Sequence, residues 1–88
     1  MPSAKEYVDA RRKSPFHRRF VDLHPPEAAK VTGAIIRMEQ DNFSNVKGVG
    51  SGVFEYVLNI GPGYRIYFGK HGDQIIILLG GGTKKRQQ

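Results

Sequence analysis

Val53-Phe54-Glu55-Tyr56-Val57-Leu58-Asn59-Ile60, then Gly61-Pro62-Gly63, then Tyr64-Arg65-Ile66-Tyr67-Phe68 is the stretch that decides the fold. Phe54, Tyr56, Leu58 and Ile60 alternate with Val53, Glu55, Val57 and Asn59, and Tyr64, Ile66 and Phe68 resume the same apolar face against Arg65 and Tyr67. A period of two sends successive side chains to opposite faces, so each run is a strand with one side for a core. Gly61-Pro62-Gly63 supplies the residues a tight reversal needs, which makes the two strands antiparallel neighbours. Lys70-His71-Gly72-Asp73 reads as a second hairpin loop, leading into Gln74-Ile75-Ile76-Ile77-Leu78-Leu79. That last strand is apolar on both faces, so it is expected to be central or covered on both sides.

Upstream the period is helical. Ser14-Pro15 offers a hydroxyl for a first-turn N–H and a proline pre-set for the first helical position. Phe16, Phe20 and Leu23 then share one face, with Arg18, Arg19 and Asp22 outside it. His24-Pro25-Pro26 ends this helix and begins another that runs to about Gln40, with Val31, Ile35 and Met38 as its buried stripe, helped by Ala28 and Ala34. Gly33 in its middle, costing about 1 kcal/mol relative to alanine, marks a close crossing or a weak spot.

The remaining segments are less regular. Residues 1–13 hold a short edge strand around Tyr7-Val8 and a basic run ending in Arg11-Arg12-Lys13, while Asp41 to Gly52 is a polar, glycine-bearing connection without an element of its own. The expectation is a single α+β domain over 1–88: a helical hairpin at 14–40, packed on a small twisted antiparallel sheet at 53–80, with a basic tail at 81–88. The hairpin covers one side of the last strand. The other side calls for a further element, from beyond Gln88 or from a partner.

Composition narrows the function. Fourteen Lys and Arg against eight Asp and Glu give a net charge of +6, which favours polyanions, nucleic acid first, or an acidic protein partner. The absence of cysteine excludes disulfides, thiolate metal sites and cysteine nucleophiles, and suits a reducing compartment. The longest apolar run, Ile75 to Leu79, is far too short to cross a bilayer, so a soluble cytoplasmic protein without membrane contact is expected. His17, His24 and His71 are scattered over helix, linker and hairpin and form no metal-ligand pattern, and no cofactor motif is present.

The candidate site lies at the ends of the last two strands. Arg65 follows the Gly-Pro-Gly turn, and the final strand runs into Gly80-Gly81-Gly82-Thr83-Lys84-Lys85-Arg86. Cations beside side-chain-free backbone suit a phosphodiester, whose oxygens need charge neutralisation and close approach. The glycines are no nucleotide-binding loop, because no helix with the required lysine and hydroxyl follows.

Asp41-Asn42-Phe43-Ser44-Asn45-Val46-Lys47, Gly61-Pro62-Gly63-Tyr64-Arg65-Ile66-Tyr67-Phe68 and Leu78-Leu79-Gly80-Gly81-Gly82-Thr83-Lys84 together resemble the RelE/ParE toxin superfamily. They are most similar to its HigB-like addiction-module killer proteins, over roughly residues 14 to 88. The resemblance implies two helices on a twisted antiparallel sheet, with a C-terminal helix that is expected to be absent here. It implies the toxin of a type II toxin-antitoxin system, a metal-independent endoribonuclease that cuts mRNA on the ribosome, inhibits translation and is held in a hetero-oligomer by its antitoxin.

By the same resemblance Arg65 matches the arginine that contacts the scissile phosphate, and Lys84 and Arg86 match basic residues after the last strand. Lys47, Tyr67 and Lys85 are the further RNA-contact candidates, Tyr67 by stacking on a base. Arginine suits the charge role because it is permanently protonated and grips two oxygens through its fork. The bland alternatives are a salt-bridged strand residue for Arg65 and a solvated loop lysine for Lys47. None of the three histidines stands out as a general base. The superfamily's ribonucleases carry lysines on the strand before the turn, where this chain has Val57 and Asn59, and their terminal catalytic residue would lie beyond Gln88. A gyrase inhibitor of the same fold and a small RNA-binding module are therefore the alternative readings.

Overall fold

The computed structural model describes residues 1–61 and 63–83. Two helices, α1 (Pro15–Phe20) and α2 (Pro25–Glu39), lie on a five-stranded sheet built from β1 (Ser3–Glu6), β2 (Val46–Gly50), β3 (Val53–Leu58), β4 (Tyr64–His71) and β5 (Ile75–Thr83). The strand order is β1-β5-β4-β3-β2. Both helices start where the sequence places them: the Ser14 hydroxyl accepts from the His17 N–H at 3.0 Å, and the Glu27 carboxylate accepts from the His24 N–H at 3.3 Å.

Three ladders are antiparallel, but β1 runs parallel to β5, with Ser3 opposite Ile75 and Glu6 opposite Leu78. The sheet is therefore mixed, not purely antiparallel, and its first strand lies at Ser3–Glu6 instead of Tyr7-Val8. The reason is positional: β5 sits between β1 and β4, which also explains why a strand so near the end of the chain is apolar on both faces. Ala4 N–H donates to the Glu39 carboxylate at 2.9 Å, tying this edge to the end of α2.

A second correction concerns the 41–52 connection, which contains strand β2. Gly50, Ser51 and Gly52 all take positive φ, the backbone of a tight hairpin, and fold Val46–Gly50 back onto β3 with Lys47 opposite Glu55. Among the described residues the sheet thus takes in 46–83 together with β1.

The core is the helix-facing side of the sheet. Tyr56, Leu58, Tyr64, Ile66, Phe68, Ile76 and Leu78 pack against Phe16, Val31, Ala34 and Met38. Phe54 stacks on Phe68 with ring centroids 5.6 Å apart. Ile76 and Leu78, on the helix-facing side of β5, are 1% and 3% exposed within the single chain, so this side requires no partner segment. Ile75, Ile77 and Leu79 are half-buried. Gly33 marks no close crossing: no atom lies within 4 Å of where its Cβ would stand. None of the described helices is long and apolar enough to cross a membrane.

One irregularity positions the site. Tyr67 pairs with Gly80 and Phe68 with Leu78, leaving Leu79 as an extra residue on β5. The bulge resets the alternation, so that Gly80 opposes Tyr67 and Gly82 opposes Arg65. An unbroken register would put Leu79 against Tyr67.

Candidate functional site

Residues paired across strands share a face, so the side of the sheet away from the core carries two rows. One row runs Lys47, Glu55, Tyr67, Gly80 across β2, β3, β4 and β5; the next runs Val57, Arg65, Gly82 across β3, β4 and β5. Aromatic and charged groups on β2, β3 and β4 thus give way to glycines on β5. An alanine Cβ at Gly80 would meet nothing within 4 Å, so that end of the face is open to an incoming chain.

Glu55 is the hub of this face. Its side chain is only 2% exposed, and its carboxylate accepts from Arg65 Nη1 at 3.2 Å and lies 3.4 Å from the Lys47 ammonium. A buried carboxylate is tolerated only when its charge is met by partners, and here it has one on each neighbouring strand. Two cations against one carboxylate leave a net positive charge on the face. Arg65 is largely buried, with its Nε–H lacking a partner among the described residues. A guanidinium fixed through one nitrogen, with part of its side chain still exposed, is suited to gripping an oxyanion through its remaining outward N–H groups.

The expected site residues distribute unevenly. Arg65, Tyr67 and Lys47 come together on this face, although Lys47 belongs to strand β2 and not to a loop. Lys84, Lys85 and Arg86 lie outside the described residues. The salt-bridged reading of Arg65 holds as well, since its partner is Glu55. Glu55 was not singled out from the sequence. The signal was its place in the Val53–Leu58 alternation, an acidic side chain on the same face as Arg65 of the adjoining strand.

The histidines stand apart. His71 is exposed at the end of β4, and His17, on α1, lies 3.8 Å from Glu6 of β1. Among the described residues no group of three or more His, Asp or Glu side chains gathers as a metal-ligand set.

No model of a known protein family matches the chain. It is similar to an uncharacterized protein of Haemophilus influenzae, with 39% identity over 59 residues, covering 67% of this chain. The match spans 60% of that relative's length.

Proposed function

We propose that this chain is a HigB-like toxin of the RelE/ParE superfamily with the fold of that group, acting in the cytoplasm as a ribosome-dependent mRNA endonuclease neutralised by a cognate antitoxin. The observation that carries the reading is the common face of Arg65, Lys47 and Tyr67, opening at Gly80. An RNA strand lying beside Gly80 would meet the Arg65 guanidinium at a phosphate and the Lys47 ammonium further along its backbone.

The chemistry that such a face can support needs no bound group. The 2′-OH of RNA attacks the adjacent phosphorus, the P–O bond to the 5′-oxygen breaks, and a cyclic phosphate and a free 5′-hydroxyl result. Charge accumulates on the non-bridging oxygens, and a preorganised guanidinium stabilises it without rearranging at the moment of reaction. Glu55 acts here by holding Arg65, a positioning role that its burial favours over direct contact with substrate.

Incubating the protein with ribosomes and mRNA and mapping the 5′ ends tests the reading. Cut transcripts that disappear with Arg65→Lys, which keeps the charge but loses the fork, support it; intact transcripts sink it. A second reading, a gyrase inhibitor of the same fold, is favoured by Val57, which occupies the position directly across from Arg65 where a further cation would serve RNA. Inhibited supercoiling with intact mRNA selects that reading. RNA binding with neither effect selects a plain binding module.

A further inference from the structure

A groove separate from the open face lies between α2 and the end of β3. Its volume is 490 Å³, and its walls include Lys30, Gly33, Arg37, Leu58, Asn59 and Ile60. Three features of it converge. Lys30 and Arg37 are the charged residues that line it, with no carboxylate among the lining side chains. They stand on one stripe of α2 with Gly33 between them, and the space above Gly33 is empty, so this glycine, which neither a crossing nor a positive φ requires, forms the groove's open floor.

The third feature is the strand edge. The β2 ladder ends at Val46 opposite Tyr56, and Val57 N–H still reaches Asn45 C=O at 3.2 Å. In an antiparallel sheet the next residue whose N–H and C=O point to that side is Asn59. No strand lies beside it there among the described residues. The groove therefore combines a backbone edge beside which no strand lies among the described residues, apolar walls from the largely buried Leu58 and Ile60, and two cations two helical turns apart, about 10 Å along the helix axis.

We propose that this groove docks an extended acidic segment of a partner protein, which pairs with the Asn59 backbone and sets carboxylates on alternate residues against Lys30 and Arg37. Charge complementarity selects an acidic peptide, and the free edge selects an extended one. RNA fits the charge but has no backbone amide to pair with Asn59. The proposal is independent of the nuclease reading, because it uses neither Arg65 nor the open face.

The test is amide NMR of the full chain titrated with a peptide of alternating Glu and Thr, with an alternating Lys-Thr peptide and single-stranded oligouridylate as controls. Shifts confined to residues 30–37 and 58–60, with the acidic peptide alone, are expected. Gly33→Leu, which fills the floor, and Lys30→Glu, an exposed substitution that leaves the fold intact, should each weaken binding by roughly tenfold. Absence of binding, shifts centred on Arg11 to Arg19, or displacement of the peptide from these amides by oligouridylate overturns the proposal. So does unchanged affinity in Lys30→Glu, whether or not Gly33→Leu folds.

Discussion

Arg65 donates through Nη1 to the carboxylate of Glu55 at 3.2 Å, reaching diagonally from β4 to β3, because Arg65 stands opposite Val57 while Glu55 stands opposite Tyr67. The contact joins stability to function in one pair of residues. The carboxylate is buried and depends on its cations, and the cation is steered by the carboxylate.

Removing either member should therefore act differently. Arg65→Ala leaves Glu55 buried with Lys47 alone and is expected to cost about 1–3 kcal/mol in urea unfolding as well as abolishing cleavage. Glu55→Gln removes the carboxylate charge and raises the net charge of the face, so RNA affinity at low salt should rise several-fold while cleavage falls. Filter binding and transcript mapping on the same samples separate the two effects. Equal losses in both would reduce Glu55 to a purely structural role.

The glycines of β5 are expected to split by face. A Cβ at Gly81 would collide with the Tyr64 hydroxyl, so Gly81→Ala should destabilise by about 1–3 kcal/mol in thermal or urea unfolding. Gly80 faces open space, and Gly80→Ala should leave stability within about 0.5 kcal/mol. A bulkier Gly80→Val should hinder RNA binding without unfolding the protein.

Tyr64 makes a prediction in pH. Burial pushes its hydroxyl above the usual tyrosine range, with the nearby Arg19 opposing and Glu27 adding to the shift. The unfolded chain gives up this proton at about pH 10 while the native state retains it, so the unfolded state binds fewer protons there and stability falls with rising pH. Below that pH the contribution is intact; it is lost as pH climbs from the unfolded toward the folded value. Tyr64→Phe also removes a buried hydroxyl with no partner among the described residues, so it should be neutral or stabilising at pH 7 and should flatten the alkaline limb of a pH–stability curve.

Gly33→Ala provides a simple check on α2. The position is helical, has room for a Cβ and makes no crossing, so alanine should raise stability by about 1 kcal/mol. A loss measured by denaturant unfolding would mean that the space above Gly33 is filled in solution.

Much of this architecture was legible in the chain itself. The alternation from Phe54 to Phe68 specified two strands and their shared core face, Ser14-Pro15 and His24-Pro25-Pro26 set both helix starts, and the two-sided apolarity of Ile75 to Leu79 announced an interior strand. Strand β2 was missed because Gly48, Gly50 and Gly52 carry little strand propensity, although Gly50-Ser51-Gly52 is a hairpin signal in its own right. The edge strand expected around Tyr7-Val8 lies a few residues earlier, and its parallel pairing with β5 was not legible because the partner is remote in sequence and no local pattern encodes such a contact.

For the site the division is sharper. Residue types alone set Arg65, Tyr67 and Lys47 as candidates, since chemistry belongs to side chains and periodicity tells which of them share a face. Only the folded sheet decided that Lys47 and Arg65 flank one buried carboxylate, and that a single extra residue at Leu79 turns Gly80 and Gly82 toward them. Register and bulges arise from strand pairing across the chain, so the composition of any one segment leaves them open.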